Sequence, residues 1–231
     1  MMAQTAWIEA LWARLSAQVA LVTRPVVVAD RVWQVTCVED QDALLDAAVS
    51  MEHFPYGYLL WEASVGLARY LATCPEYVRG REVLELGCGV GLSGIIARSL
   101  GAQVWQTDHL PGALQLAEIN ALQNGVFGIE RFPGDWRQWA HDRRYDVLIG
   151  ADVFYDRAMH FYLEAVFARN LKEDGVLIIA DPVRPQALEF AAHLEKSGWH
   201  FQIETLEVCW QGTHGKSVEV VIWVARRGTG G

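Results

Sequence analysis

The stretch VLELGCGVGLSG, from Val83 to Gly94, constrains this chain more than any other: a short apolar run followed by four glycines. It reads as a buried strand that ends in a backbone loop and then starts a helix. Glycine supplies the positive φ such a loop needs and lets the main chain approach a bound molecule without a Cβ in the way. From Glu82 onward the same alternation repeats. EVLELG, AQVWQTD, IERF, YDVLIGAD and GVLIIAD read as strands, and LSGIIARSLG, PGALQLAEINALQNG, RAMHFYLEAVFARNL and PQALEFAAHLEKSG as the helices between and after them. Pro111 near a helix start, and Gly101, Gly125 and Gly198 after helix ends, punctuate the pattern. Strands separated by such helices form right-handed βαβ units and a doubly wound parallel sheet.

The ending departs from this rhythm. HFQIETLEVCW and KSVEVVIWVARR are joined only by QGTHG, too short for a helical crossover, so they form an antiparallel hairpin at the sheet edge. The expected fold class is α/β, with a mostly parallel seven-stranded sheet and a terminal antiparallel hairpin.

At 231 residues the chain makes one large domain with an N-terminal α/β extension. We expect the extension over residues 1–55, as a lid or substrate element, the main domain over 56–227, and a disordered tail over 228–231. WIEALWARLSAQVA places Trp7, Leu11, Leu15 and Val19 at helical spacing, and PVVVADRVWQVTCV reads as two strands around Ala29-Asp30-Arg31. LLWEASVGLARYLA, Leu59 to Ala72, has helical spacing again.

A formal charge of −9, with no basic run beyond Arg143-Arg144 and Arg226-Arg227, argues against a nucleic-acid partner and mildly favours a basic one. Four scattered cysteines without a C-x-x-C pair form neither a zinc pattern nor a disulfide framework. Neither a signal peptide nor a membrane-spanning run is read, which places the protein in the cytoplasm. The histidines show no metal spacing, so no metal site is expected.

Two glycine frames compete in the loop. Gly89 to Gly94 spells G-x-G-x-x-G, with Asp108 about twenty residues on, which matches the dinucleotide fingerprint. That frame starts too late. The glycine directly after the strand is Gly87, and counting from it puts Leu92 where the third glycine belongs.

The other frame, Glu85-Leu86-Gly87-Cys88-Gly89-Val90-Gly91, resembles motif I of the seven-β-strand methyltransferases that use S-adenosylmethionine. The resemblance implies a Rossmann-like methyltransferase fold and a cofactor site containing Glu85, Gly87, Cys88, Gly89, Gly91, Leu92 and Ala151. Asp108 would accept the ribose hydroxyls, with His109 at the cofactor rim or in a solvated loop. Asp135-Trp136 would hold the adenine; Asp135 also reads as a turn residue after Pro133-Gly134.

Asp152-Val153-Phe154-Tyr155 is similar to the D-x-x-Y signature of the family 16 protein methyltransferases. GYLLWEASVGLARYL resembles that family's segment before motif I, whose tryptophan, here Trp61, lines the cofactor site. Asp181-Pro182-Val183-Arg184 looks like the D-P-x-R of the branch that methylates the electron-transfer flavoprotein β subunit. The resemblance, from about Phe54 to Arg184, implies catalytic roles for Asp152 and Tyr155 and substrate contacts for Asp181 and Arg184. Read as residues alone, Asp152 also suits a helix cap, Tyr155 plain packing and Asp181 a turn.

The expected function is methyl transfer from S-adenosylmethionine to a protein side chain, a lysine ε-amine before others, with S-adenosylhomocysteine as product. A small amine or other metabolite is the alternative acceptor, and a non-catalytic cofactor-binding interaction protein the third reading.

Overall fold

The computed structural model describes residues 20–39, 56–209 and 216–228. Chain order is β1 (Leu21–Val28), β2 (Arg31–Val38), α1 (Glu62–Thr73), β3 (Glu82–Leu86), α2 (Leu92–Ser99), β4 (Gln103–Asp108) and α3 (Pro111–Gln123). There follow β5 (Ile129–Pro133), β6 (Tyr145–Ala151), α4 (Arg157–Asn170), β7 (Leu171–Asp181), α5 (Pro185–Lys196), β8 (Trp199–Val208) and β9 (Val218–Arg227).

Seven strands form one sheet in the order β5-β4-β3-β6-β7-β9-β8. The pairings from β5 through β7 are parallel, and β9 pairs antiparallel with both β7 and β8. The terminal hairpin is therefore present, with a refinement. Strand β9 inserts beside β7, which leaves β8 at the edge running in the same direction as the five preceding strands.

Alternation along each strand divides the core into two layers. Val83, Val104, Val147, Ile149, Val176, Ile178 and Ile222 face the cluster shared with α1, α2 and α3. Leu84, Trp105, Leu148, Leu177, Ile179 and Trp223 face the cluster with Phe167 of α4 and Phe190 and Leu194 of α5. Period-2 side-chain direction makes one sheet serve two apolar layers.

The expected hairpin around Ala29-Asp30 is β1–β2, a separate two-stranded sheet in full register from Leu21↔Val38 to Val28↔Arg31. Its Val26, Val28, Trp33, Val35 and Cys37 join the α1–α3 core layer. The expected helix spanning Trp7 to Val19, the 211–215 connection and the tail residues 229–231 lie outside the described residues.

Candidate active site

All five parallel strands end on one edge, where Gly87, Asp108, Pro133, Ala151 and Asp181 stand in a row. In an open α/β sheet the crevice beyond these carboxyl ends is where ligands bind. The turn after β3 is left-handed at three alternate glycines, with φ of 58° at Gly87, 51° at Gly89 and 84° at Gly91. Each is also crowded. A Cβ on Gly87 would lie 3.2 Å from Val153 Cγ1 and 3.3 Å from Trp136 Cζ2, and one on Gly89 3.2 Å from the Gly57 carbonyl oxygen. On Gly91 it would sit 2.6 Å from Ala117 Cβ.

Glu85 explains the fourth glycine. Its carboxylate, buried beneath the loop, accepts from the Gly94 N–H (3.1 Å) and from Gln106 Nε2 (2.7 Å), and Gln106 Nε2 also donates to the Gly91 carbonyl (2.9 Å). A Cβ on Gly94 would overlap Glu85 Oε2. The dinucleotide-like spacing thus arises from packing over a carboxylate, with no pyrophosphate required. Burial pushes the Glu85 carboxyl up to about 7, against the opposing bonds from Gln106 and Gly94. Leu92 opens α2 with its side chain in the core, and Cys88 is buried in the loop itself, where burial raises its thiol well above the ordinary range.

At the end of β4, Asp108 is 5% exposed and accepts from Gly89 N–H through Oδ2 (2.9 Å) and from Leu110 N–H through Oδ1 (2.9 Å). His109 Nδ1 lies 3.4 Å from Asp108 Oδ1 on a mostly exposed ring, and its hydrogen bond with Asp108 raises its pKa. Asp135 caps the turn Trp136–Gln138 by accepting from the Arg137 N–H and also pairs with the Arg137 guanidinium, at 2.7 Å for the shortest contact. The turn reading of Asp135 therefore describes its position, just after β5. The Trp136 indole stands against Gly87.

On the far side, Asp152 adopts φ 54° and its N–H donates to the Ala180 carbonyl (2.8 Å). Its carboxylate receives Arg184 in a two-point pair, Nε to Oδ1 at 2.7 Å and an Nη to Oδ2 at 2.6 Å. The cap of α4 is Asp156, which accepts from the Ala158 N–H, so the helix-cap reading of Asp152 gives way. Asp181 is fully buried. Its Oδ1 accepts from the Arg184 N–H (2.6 Å), its Oδ2 has no hydrogen-bond partner among the described residues, and burial lifts the carboxyl to about 6. Burial, with the Asp156, Asp108 and Asp152 carboxylates adding to it, pushes the Tyr155 phenol up to about 12.

Sequence reasoning missed Tyr56 and Gly57. The Tyr56 ring stands 6.0 Å from Trp61 and 5.8 Å from Tyr155 by centroids, and its carbonyl accepts from Trp61 Nε1 (3.0 Å). These three rings join the cofactor-site tryptophan of the resemblance to the tyrosine of D-x-x-Y. Asn120 was missed as well. It is fully buried, donates to the Thr36 and Val90 carbonyls (2.9 Å each) and accepts from the Thr36 N–H (2.7 Å), linking β2 to the glycine loop. A mid-helix Asn in an apolar stretch was the only available signal. Among the described residues no group of three or more His, Cys, Asp or Glu could hold a metal.

This strand order, with a glycine-lined turn after the central strand and an acidic residue ending the next, defines the class I methyltransferase fold. The chain belongs to the lysine methyltransferase family, family 16, which it matches over residues 39–197. It is 32% identical over 147 residues to the electron transfer flavoprotein beta subunit lysine methyltransferase of Rattus norvegicus, covering 60% of this chain and 54% of that protein. To the rat histone-arginine methyltransferase METTL23 it is 32% identical over 110 residues, covering 45% and 49% of the two chains. The chain thus spans about half the length of the curated relatives it matches. Among solved structures, the Thermus thermophilus 16S rRNA N2 G1207 methyltransferase superposes with a TM-score of 0.62 at 18% identity. That likeness covers 90% of this chain and 51% of the other, and it shows the fold.

Proposed function

We propose that the protein transfers a methyl group from S-adenosylmethionine to a protein side chain, a lysine ε-amine before others. The observation that carries this reading is the crevice at the ends of β3, β4 and β6, where a Cβ-free cradle, a held carboxylate and the D-x-x-Y residues meet. S-adenosylmethionine supplies a methyl group already activated on a sulfonium, so this chain needs to bind, align and exclude water.

The residues present fit that cofactor. Gly87, Cys88, Gly89 and Gly91 offer backbone to its methionine part, and Leu92 contributes through its own main chain. Asp108, steadied by two N–H donors, keeps lone pairs for the ribose hydroxyls. Trp136 presents a ring face for the adenine, and Asp135 a carboxylate for its exocyclic amine. His109, Trp61 and Ala151 complete the walls.

Asp152 and Tyr155 flank the acceptor nitrogen. Tyr155 remains a phenol at neutral pH and offers a hydroxyl and a ring face to an amine. An unperturbed lysine has a pKa of about 10.4 and holds its proton at neutral pH, so the acceptor must shed it to water before it can attack. Support for lysine comes from the family description and from the lysine-modifying relatives. Asp156 and Glu62, beside the Asp152–Arg184 ion pair, leave the acceptor side with a negative excess, which suits a basic protein segment and disfavours nucleic acid. Cys37, Cys74 and Cys88 are in no disulfide, in keeping with a cytoplasmic setting. No helix among the described residues is long and apolar enough to cross a membrane.

Calorimetry with S-adenosylmethionine tests the cofactor; absence of binding ends the proposal. Tritiated cofactor added to a cell lysate tests the acceptor. A discrete labelled protein band is the expected result, and label confined to the small-molecule fraction would replace the protein acceptor with a metabolite.

A further inference from the structure

The D-x-x-Y and D-P-x-R segments meet in one ion pair, and that pair changes what Asp152 can do. A bare carboxylate at the acceptor position would clasp an incoming ammonium and hold its proton in place, because an adjacent opposite charge favours the charged form. In this structure both Asp152 oxygens already face the Arg184 guanidinium, at 2.7 and 2.6 Å. The arrangement is fixed from behind. Asp181 Oδ1 accepts from the Arg184 N–H at 2.6 Å, Val183 is held at φ 62°, and Arg184 then caps the start of α5 with its side chain returned toward β6.

The charged groups around Arg184 are Asp152 just after β6, Asp181 at the end of β7 and Glu62 on α1, and the neighbouring Tyr155 also feels Asp156 and Asp108. Arg184 is the permanent cation in that set. The surrounding carboxylates attract a basic segment from a distance, where attraction is weak and screened. Arg184 fills the close pairing position on the buried Asp152 carboxylate.

We propose that Arg184 is a positioning residue: it serves as the built-in counter-ion of Asp152, so that the acceptor nitrogen enters as the free amine and is not trapped there as an ammonium. The role assigned to D-P-x-R is thus to complete D-x-x-Y, and Arg184 acts through Asp152 without touching the acceptor. The inference rests on the methyltransferase reading above.

Its test needs no acceptor. Sinefungin is a cofactor analogue that carries an amine where the transferable methyl would be, and S-adenosylhomocysteine carries nothing there. The ratio of their dissociation constants, measured by calorimetry at neutral pH, reads the pairing capacity of Asp152. In Arg184→Gln the freed carboxylate should tighten sinefungin relative to S-adenosylhomocysteine by about tenfold, as expected for a new charge-assisted hydrogen bond. In the double variant Asp152→Asn with Arg184→Gln the ratio should return to the wild-type value. Arg184→Lys keeps the charge but loses the two-point geometry, and should shift the ratio by only about threefold; it carries the test alone if the glutamine variant does not fold. A ratio unchanged within twofold in the single variants overturns the inference while leaving the cofactor reading intact. Failure of S-adenosylhomocysteine to bind the wild-type protein overturns both.

Discussion

At Gly89 one added methyl group would press on the carbonyl oxygen of Gly57 at 3.2 Å, whereas Tyr155, across the same crevice, leaves 38% of its surface in solvent. The two sides are made of different materials. The glycine loop is main chain held by buried polar groups, namely Glu85, Gln106, Asn120 and Asp108. The proposed acceptor side is a set of half-exposed rings over one ion pair. A loop fixed in this way has one shape to offer, which suits a ligand that never varies. Rings at a rim can be replaced without disturbing the fold, which suits an acceptor that differs from one family member to another.

Four substitutions can break or sharpen that contrast. Gly91→Ala meets both a left-handed backbone and Ala117 at 2.6 Å, so it should cost about 3 kcal/mol in urea unfolding and abolish S-adenosylhomocysteine binding. Asn120→Ala leaves the Thr36 N–H and the Thr36 and Val90 carbonyls without their partner, and should cost about 2 kcal/mol with a weakened cofactor affinity. A loss confined to stability would show that the loop keeps its shape without this residue.

Glu85→Gln retains an acceptor for Gly94 and Gln106 but removes a titration. The folded-state pKa of about 7 lies above the ordinary 4.5, so this group's contribution to stability is complete below pH 4.5 and lost as pH rises through 7. Thermal melts of the wild type should therefore fall relative to Glu85→Gln between pH 4.5 and 8. The smaller decline from Asp181, which titrates near 6, should persist in both. Parallel curves would mean that Glu85 titrates as it does in the unfolded chain, its burial offset by the bonds from Gln106 and Gly94. The smallest effect on stability belongs to the rim. Tyr56→Ala should change unfolding free energy by about 0.5 kcal/mol and cofactor affinity by less than about twofold, while weakening methyl transfer to protein acceptors. A large stability loss would place Tyr56 with the loop and erase the contrast.

The sheet was legible in the sequence because most strands and helices of the main domain carry their own period and a glycine or proline stop; α4, which runs straight into β7 at Leu171, has no such stop. The glycine frame was legible too, since Gly87 follows β3 directly. What sequence could not give was which buried polar groups meet. Glu85 and Gln106 are twenty-one residues apart and Asp152 and Arg184 thirty-two, and only the parallel register brings each pair together. For the same reason a helix-cap reading of Asp152 stayed open, until Asp156 proved to hold that place. The insertion of β9 inside β8 was hidden because a hairpin's sequence does not say which of its strands faces the sheet.

Asn120 also sets the size of the smallest working unit. Its partners in β2 precede residue 39, where the match to the family begins, yet its other bond reaches Val90 in the glycine loop. A chain trimmed to the family boundaries would bury an amide with half its partners missing and strip Val26, Trp33 and Val35 from the core beside α1. Shared ancestry and structural self-sufficiency have different borders in this molecule, and expression of the catalytic fold should begin before β1.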